Sequence, residues 1–145
     1  MKFSAVFASL AVLATAVLAD TVSYDQTYDD GSNSLDIVAC SDGVNGLETR
    51  YGWSTFSDIP NFPYIGGVGA VGGWDSAACG ECWQLKYTPS GGKTRTINVL
   101  AIDHAAPGTF NIALEAMNDL TNGQAEQLGR VTVTATQVAA SVCKV

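Results

Sequence analysis

The chain has 145 residues, a formal net charge of −7 at pH 7 and only 14% charged residues. This length suits one domain with its own core. No basic cluster stands out in the sequence, and an acidic protein repels nucleic acid and anionic lipid. Neutral polar ligands such as carbohydrates are compatible with this charge, and so is an interpretation in which the charge only maintains solubility.

The first 19 residues predict an export signal. Lys2 gives a positive start, residues 3–18 are almost wholly small and apolar, and Ala19 offers a cleavage site. The apolar run is short for a membrane span, which needs about 20 residues. We therefore expect a secreted, extracellular protein without a membrane span, cleaved after Ala19, whose single mature domain is residues 20–145. That domain has six basic and 14 acidic residues.

Short alternating runs separated by glycine-rich turns predict a mostly β domain with short helices. Ser34 is a suitable cap for a helical turn over residues 35–39. The glycines of the apolar run 65–73 indicate a strand that approaches other backbones closely. Pro89 to Gly92 predicts a hairpin turn. In chain order, the predicted strands are 21–24, 65–73, 83–87, 94–102 and 130–136.

One longer helix and one short helix are predicted before the last strand. The longer helix begins near Phe110, where Asn111 is a suitable N-cap ahead of an apolar stripe. Thr121 and Gln124 match a capping box for the short helix, which ends at Gly129. The order of elements is therefore β-rich with helical inserts and is not a regular βα repeat.

Four cysteines follow the export signal, at positions 40, 79, 82 and 143. An even number in a short secreted domain predicts two structural disulfides, and the spacing leaves all three pairings open. Cys79 and Cys82 form a Cys-x-x-Cys motif, which in isolation suggests a redox or metal site. The surrounding sequence lacks a βαβ pattern and a second close cysteine pair, so neither a metal site nor any other cofactor is expected.

A catalytic set is hard to assemble from this sequence. His104 is the one histidine, so every Ser-His-Asp or Cys-His arrangement must use it, and no Gly-x-Ser-x-Gly motif is present. Asp103 ends an apolar strand, where its side chain either projects from the rim of a barrel or binds backbone amides of a turn. A glycosidase needs two converging carboxyl groups, which the sequence does not show.

Aromatic residues are the other ingredient of sugar recognition, because flat rings stack on pyranose faces. Trp53 and Trp74 lie in glycine-flanked, loop-like sequence, whereas Trp83 alternates with polar residues and fits a core position. A further group of apolar residues suggests an exposed patch on a surface-active protein, although core packing explains them equally well. This group comprises Phe56, Phe62, Tyr64 and Ile65.

Several motifs together carry a family resemblance. In chain order they are Val22–Asp25, Ala39–Leu47, Cys79–Cys82, Ile97–Asp103, Phe110–Ile112 and Ser141–Cys143. With the export signal and the cysteine count, they make the mature chain closely similar to the cerato-platanins, small secreted fungal proteins. The resemblance covers nearly all of the mature chain, which departs from the common family pattern at Trp74, Trp83 and His104.

The resemblance implies a six-stranded double-ψ β-barrel, related in fold to expansins and to one family of endoglucanases. It implies the disulfides Cys40–Cys79 and Cys82–Cys143. It also implies non-catalytic binding of chitin or N-acetylglucosamine oligomers in a shallow groove. Family members act as elicitors or phytotoxins, and some loosen cellulose or self-assemble. The expected partners therefore extend to cellulose, a plant host surface component and further copies of the chain.

The resemblance also implies which residues bind carbohydrate. Asp103 is the groove aspartate, with polar neighbours around it and two further candidates near the N-terminus. The neighbours are Ser41, Asp42, Gly43 and Asn111, and the further candidates are Tyr24 and Asp25. The leading hypothesis is a non-catalytic binder of cell-wall polysaccharide. The alternatives are a weak endoglucanase-like hydrolase and a surface-active, self-assembling structural protein.

Overall fold

The computed structural model describes residues 19–145, so nearly all of the expected export signal lies outside the described residues. Six strands close into a barrel in the order β1-β5-β2-β4-β3-β6. They are β1 (Asp20–Tyr24), β2 (Ile65–Val68), β3 (Cys82–Tyr87), β4 (Arg95–His104), β5 (Thr109–Ile112) and β6 (Arg130–Val138). The helices between them are α1 (Leu47–Tyr51), α2 (Leu114–Thr121) and α3 (Ala125–Leu128), and the 3-10 segments are Gln26–Asp29, Leu35–Ile37, Phe56–Asp58 and Ala140–Cys143.

Two strand pairs of the barrel are parallel, β1 with β5 and β2 with β4, and the other neighbouring pairs are antiparallel. Closure leaves the sheet without a free edge. β4 is the longest strand, with ten residues. It crosses the core and ends at Asp103 and His104, so the barrel itself places the aspartate that the family resemblance singles out. The six-stranded closed barrel is confirmed.

The apolar positions of the strands fill the barrel, as the alternation predicts. Val131 and Val133 of β6 face inward, and the alternating threonines Thr132 and Thr134 face solvent. Of the two interpretations of the group Phe56, Phe62, Tyr64 and Ile65, the structure supports core packing. Phe56 and Ile65 are fully buried, and Phe62 and Tyr64 are half-buried against the core. The most exposed large apolar side chains among the described residues are instead Val44, Trp74 and Ile37.

The glycines of β2 are required by close backbone approach, as predicted. A Cβ at Gly66 would lie 2.3 Å from the carbonyl oxygen of Asn111, and one at Gly67 would lie 2.7 Å from that of His104. The strand is shorter than predicted, since it ends at Val68 and the chain then turns, with the Val71 amide donating to the Val68 carbonyl. The run 69–73 is loop because those residues leave the ladder.

The predicted start of the long helix is wrong. Asn111 lies in β5, where parallel pairing with β1 holds the segment extended, and α2 begins at Leu114. The free amides of Leu114 and Glu115 donate to the carboxylate of Asp29, at 2.8 and 2.9 Å. A side chain 85 positions earlier in the chain therefore supplies the cap, and no local pattern could have revealed it.

The predicted capping box for the short helix is also wrong. Thr121 is the last residue of α2, and its hydroxyl donates to the Met117 carbonyl at 2.8 Å. The Ala125 amide at the start of α3 instead donates to the side chain of Asn118, at 3.1 Å. The predicted end is confirmed, because Gly129 follows α3 with a φ of +67°.

Two disulfides join distant parts of the chain. Cys40 pairs with Cys79 and Cys82 pairs with Cys143, at sequence separations of 39 and 61. Both pairings that the resemblance implies are confirmed. The first bridge joins the segment before α1 to the segment before β3, and the second fastens the C-terminus to β3. Within residues 19–145, no helix is long and apolar enough to cross a membrane.

Candidate functional site

The carboxylate of Asp103 joins three parts of the chain at the end of β4. One oxygen accepts a hydrogen bond from the Tyr28 hydroxyl at 2.8 Å. The other oxygen accepts from the amide of Ala39 at 3.0 Å and from the amide of His104 at 2.8 Å. Asp103 is half-buried. It therefore does bind turn amides, as one of the two sequence interpretations required, and it also fastens two distant segments to the barrel.

Tyr28 is buried beside two carboxylates. The pKa of its hydroxyl is raised, first by burial, then by the negative charge of Asp103 and the hydrogen bond to it, and last by the charge of Asp25. Asp25 itself is exposed, and its carboxylate accepts from the Thr27 amide at 2.9 Å. The structure thus brings Asp25 and Asp103 close enough to one phenol for both charges to act on it. Tyr28 was not predicted as a site residue, because no local sequence pattern distinguishes it from a core tyrosine.

The raised pKa of Tyr28 predicts a dependence of stability on alkaline pH. Below about pH 10 the phenol is protonated in both states, and the bond to Asp103 contributes fully. Above about pH 10 the unfolded chain loses this proton while the folded chain keeps it, so the contribution falls. We expect Tyr28→Phe to be about 1–2 kcal/mol less stable than the parent at pH 7. Urea unfolding at pH 7, 9 and 11 measures the difference in free energy of unfolding between the parent and the Tyr28→Phe variant. This difference should become smaller only at pH 11, and a difference that is the same at all three pH values would contradict the prediction.

Trp74 and Asp42 form a second polar contact near the same end of the barrel. The indole N–H of Trp74 donates to the Asp42 carboxylate at 2.7 Å, although the Trp74 side chain is 64% exposed. The Ser41 hydroxyl points to the same carboxylate oxygen, at 3.5 Å. At Gly43, with a φ of +84°, a Cβ would lie 2.6 Å from a carboxylate oxygen of Asp75, so a side chain there is excluded.

The two loops that carry Asp42 and Trp74 are locked together. The backbone and side-chain amides of Asn45 donate to the side chain and the carbonyl of Asp75, at 2.8 and 2.9 Å. The guanidinium of Arg50 donates to the Cys79 carbonyl at 2.8 Å, beside the disulfide to Cys40. The Trp74 ring is therefore exposed to solvent on one of two loops that a disulfide and several hydrogen bonds hold together.

Two contacts connect these loops to the end of β4. The Cys40 amide donates to the Ile102 carbonyl at 3.1 Å, which places Ser41 beside the strand end. His104 is exposed, and its Nδ1 lies 2.6 Å from the carbonyl oxygen of Val71, so Nδ1 carries the proton. Residues 39–43, 71–75 and 103–104 consequently form one continuous surface, called the rim below.

Asn111 and Tyr24 lie outside the rim. Asn111 and Asp103 both pair with Gly67, from opposite sides of β2, which separates them by two strand spacings, or about 10 Å. The side chain of Asn111 accepts a hydrogen bond from the Ser23 hydroxyl at 3.0 Å. Tyr24 pairs with Ile112 and packs against the core. The candidates that the structure brings together are Asp103, Ser41, Asp42 and Gly43, with Asp25 next to them through Tyr28.

The other two tryptophans have different surroundings. Trp53 is half-buried and stacks on Tyr51 with ring centroids 4.2 Å apart. Trp83 is also half-buried, edge-on to Phe110, and its N–H donates to Glu81 at 3.1 Å. Trp74 is therefore the tryptophan with a freely exposed ring.

The surface next to the rim is acidic. The pKa of Glu48 is raised, first by its partial burial and then by the neighbouring carboxylates of Asp36 and Asp42. In the part of the chain that the structure describes, no group of three or more His, Cys, Asp or Glu side chains could hold a metal ion. What the rim does offer is the exposed indole ring of Trp74 beside the exposed carboxylate of Asp42, a combination suited to neutral polar molecules.

Comparison with known proteins gives one family. The family described as Cerato-platanin matches residues 20–145. The chain is 45% identical over 150 residues to the heat-stable 19 kDa antigen of Coccidioides immitis, which covers 99% of this chain and 98% of the antigen. It is 36% identical over 131 residues to cerato-platanin of Ceratocystis fimbriata f. sp. platani, covering 90% of this chain and 87% of that protein.

Solved structures agree with this assignment. The crystal structure of cerato-platanin 2 from M. perniciosa superposes with a TM-score of 0.81 at 48% identity, covering 88% of this chain and 99% of that one. The solution structure of the fungal elicitor cerato-platanin superposes with a TM-score of 0.71 at 35% identity, covering 85% and 95%. Sequence and barrel therefore agree over the whole described domain, and the chain belongs to the cerato-platanin family.

Proposed function

We propose that this protein is secreted and binds cell-wall carbohydrate at the rim without cutting it, with chitin or N-acetylglucosamine oligomers as the preferred ligands. The observation that carries the proposal is the exposed ring of Trp74, held by its N–H on Asp42 next to the end of β4. An indole face stacks on the apolar face of a pyranose, and nearby polar groups pair with hydroxyl and acetamido groups.

The bracing of the rim supports binding by a preorganised surface. The loops that carry Ser41 and Trp74 are joined by the Asn45–Asp75 bonds and by the Cys40–Cys79 disulfide. A ligand that meets a surface already held in its binding conformation loses less free energy to ordering. Asp103 contributes by fixing the segment around Ala39, from which the Ser41 side of the rim continues.

We propose binding without bond cleavage because of the surroundings of Asp103. Both oxygens of its carboxylate are already engaged by three donors. Hydrolysis of a glycosidic bond needs two carboxyl groups that face the same bond, one of them as proton donor. A carboxylate that holds three segments of the fold together is poorly placed for that work, which favours the non-catalytic hypothesis over the endoglucanase-like one.

The relatives support a role outside the cell. One relative is named as an antigen and one solved relative as a fungal elicitor. Both words describe proteins that a host meets. We extend the proposal accordingly: this chain acts at the cell wall and at host surfaces, as an elicitor or phytotoxin-like effector with expansin-like loosening of the wall.

Replacing Trp74 by alanine is expected to weaken binding of an N-acetylglucosamine tetramer about tenfold, because the stacking surface is lost. Titration followed by NMR measures both the affinity and the residues whose amides shift. Val44→Ala is the matched control, since Val44 is 80% exposed on the facing loop but offers no ring. Amide shifts absent from the rim, or equal affinities of the Trp74→Ala variant and the parent, would refute the site.

A further inference from the structure

The charges of this protein are divided between two surfaces. Residues 82–102 and 130–145 contain five of the six basic residues of the mature domain and none of its 14 acidic residues. These segments supply β3, β6 and nearly all of β4, which are neighbours in the barrel. The remainder of the mature domain carries all of its acidic side chains, with Arg50 as its one basic residue. The protein therefore has a cationic face despite its net negative charge, and this face does not repel anionic partners as the rest of the surface does.

The outer side of this face carries a row of hydroxyl groups around a lysine. Lys86 of β3 pairs with Thr134 of β6 on one side and with Thr96 of β4 on the other. Directly paired residues share a face of the sheet, and all three are exposed. Thr132 follows on the same side two residues from Thr134, about 7 Å away. The ammonium group thus stands among neutral hydrogen-bonding groups and not among acids.

A depression of about 490 Å³ lies over these strands. Its lining is Lys86, Thr88, Thr94, Thr132, Val133 and Thr134. Within this lining, the hydroxyls of Thr88 and Thr94 are hydrogen-bonded to each other at 2.7 Å. The lining therefore combines one positive charge with four threonine hydroxyls, which suits a ligand that has both hydroxyl groups and a negative charge.

A second cleft, of about 260 Å³, adjoins the first across Thr96. It contains Lys144, and it also contains Asn98, whose side-chain oxygen is buried and has no hydrogen-bond partner. The carboxylate of Asp119 also lines this cleft, but it is engaged by Arg95 at 3.3 Å and by Tyr64 at 2.9 Å. The two depressions therefore present one lysine each along a continuous polar strip.

We propose that this strip, defined by Thr132, Thr134, Lys86, Thr96 and Lys144, binds a polysaccharide that carries carboxylates, a polyuronate. Its two ammonium groups pair with carboxylates on separate sugar units, and the threonine rows pair with the hydroxyls between them. Nucleic acid fits less well, because its charge density is high and the rest of the protein is strongly acidic. This surface is separate from the rim, and the binding of a polyuronate here is independent of the carbohydrate binding proposed for the rim.

The test uses polygalacturonate oligomers, with the fully methyl-esterified oligomers as the uncharged counterpart. We expect amide shifts confined to β3, β4, β6 and the C-terminal segment, and an affinity that falls as salt is added. Lys86→Gln combined with Lys144→Gln should weaken binding about fivefold or more. The control Gln26→Glu combined with Gln127→Glu makes the same change in net charge at exposed positions outside the strip and should bind like the parent.

Several results would overturn the proposal. Equal binding of the methyl ester would show that the carboxylate charge is not recognised. An equal loss of affinity in the Gln26→Glu, Gln127→Glu control would show only an effect of net charge. Tighter binding of duplex DNA, or a dimer that the two lysine substitutions dissociate, would assign the face to a different partner. Binding of N-acetylglucosamine oligomers should be unchanged in the lysine variant, so failure of the rim proposal and failure of this one are distinguishable.

Discussion

Replacing Cys40 and Cys79 together by alanine is expected to lower the free energy of unfolding by about 4 kcal/mol. The bridge closes a loop with a sequence separation of 39, and the chain-entropy model assigns a loop of this length about that value. Domains of this size have total stabilities of about 5–15 kcal/mol, so the variant should be marginal. Urea unfolding of the purified mature domain, with the second bridge intact, measures the loss.

The second bridge provides the comparison for the first. Replacing Cys82 and Cys143 opens a longer separation, 61, and should cost a similar amount. The two variants should differ at the rim, because only the first bridge joins the loops that carry Asp42 and Trp74. Amide shifts at the rim are therefore expected in the first variant and not in the second. A loss below about 1 kcal/mol in the first variant would show that hydrogen bonds alone hold these loops.

Asp103→Ala is expected to destabilise the protein by about 2–4 kcal/mol, in addition to any effect on ligand binding. The change leaves the buried Tyr28 hydroxyl and the Ala39 amide without their acceptor. A buried donor left unpaired costs about 1–3 kcal/mol. Thermal unfolding measures this loss as a drop in Tm of several degrees. Weaker carbohydrate binding by this variant would therefore not identify Asp103 as a ligand contact.

Asp103→Asn separates the two effects. Its amide oxygen still accepts from the amides of Ala39 and His104, so this variant should lose less stability than Asp103→Ala, although the Tyr28 proton loses its acceptor. A well-folded Asn variant that binds sugar like the parent would assign Asp103 a structural role only. An Ala variant as stable as the parent would show that the three hydrogen bonds of Asp103 do not stabilise the fold and do not hold the rim in place.

Five of the six strands were predictable from the sequence because their residues alternate in a way that local physics explains. The exception is β5 (Thr109–Ile112), whose residues were predicted as the start of a helix. Val131 and Val133 face the core with the exposed Thr132 between them, and Gly66 and Gly67 lie where backbones nearly touch. The closed six-stranded barrel and the disulfide pairing were not derivable from alternation or spacing. They were expected because several motifs together resemble one family, and the structure confirms both.

The helix starts were predicted wrongly for one shared reason. Asn111 and Thr121 were both predicted as caps because each lies within a few residues of a predicted helix. In the folded chain, Asp29 caps α2 from 85 positions away, and Asn118 supports α3 from the preceding helix. Pairing with β1 also takes Asn111 into a strand. Hydrogen bonds between distant segments outweighed the local signals at both positions.

The sequence by itself determined the alternation that fills the barrel, the cysteines available for bridging, and the candidate residues Asp103 and Trp74. Only the tertiary structure decided how they are used. It gave Asp103 three donors from separate segments, set the Trp74 indole on Asp42, and collected the basic residues on β3, β4 and β6. The reason is physical: alternation and turn preferences act over a few residues, whereas these contacts exist only once barrel closure brings distant segments together.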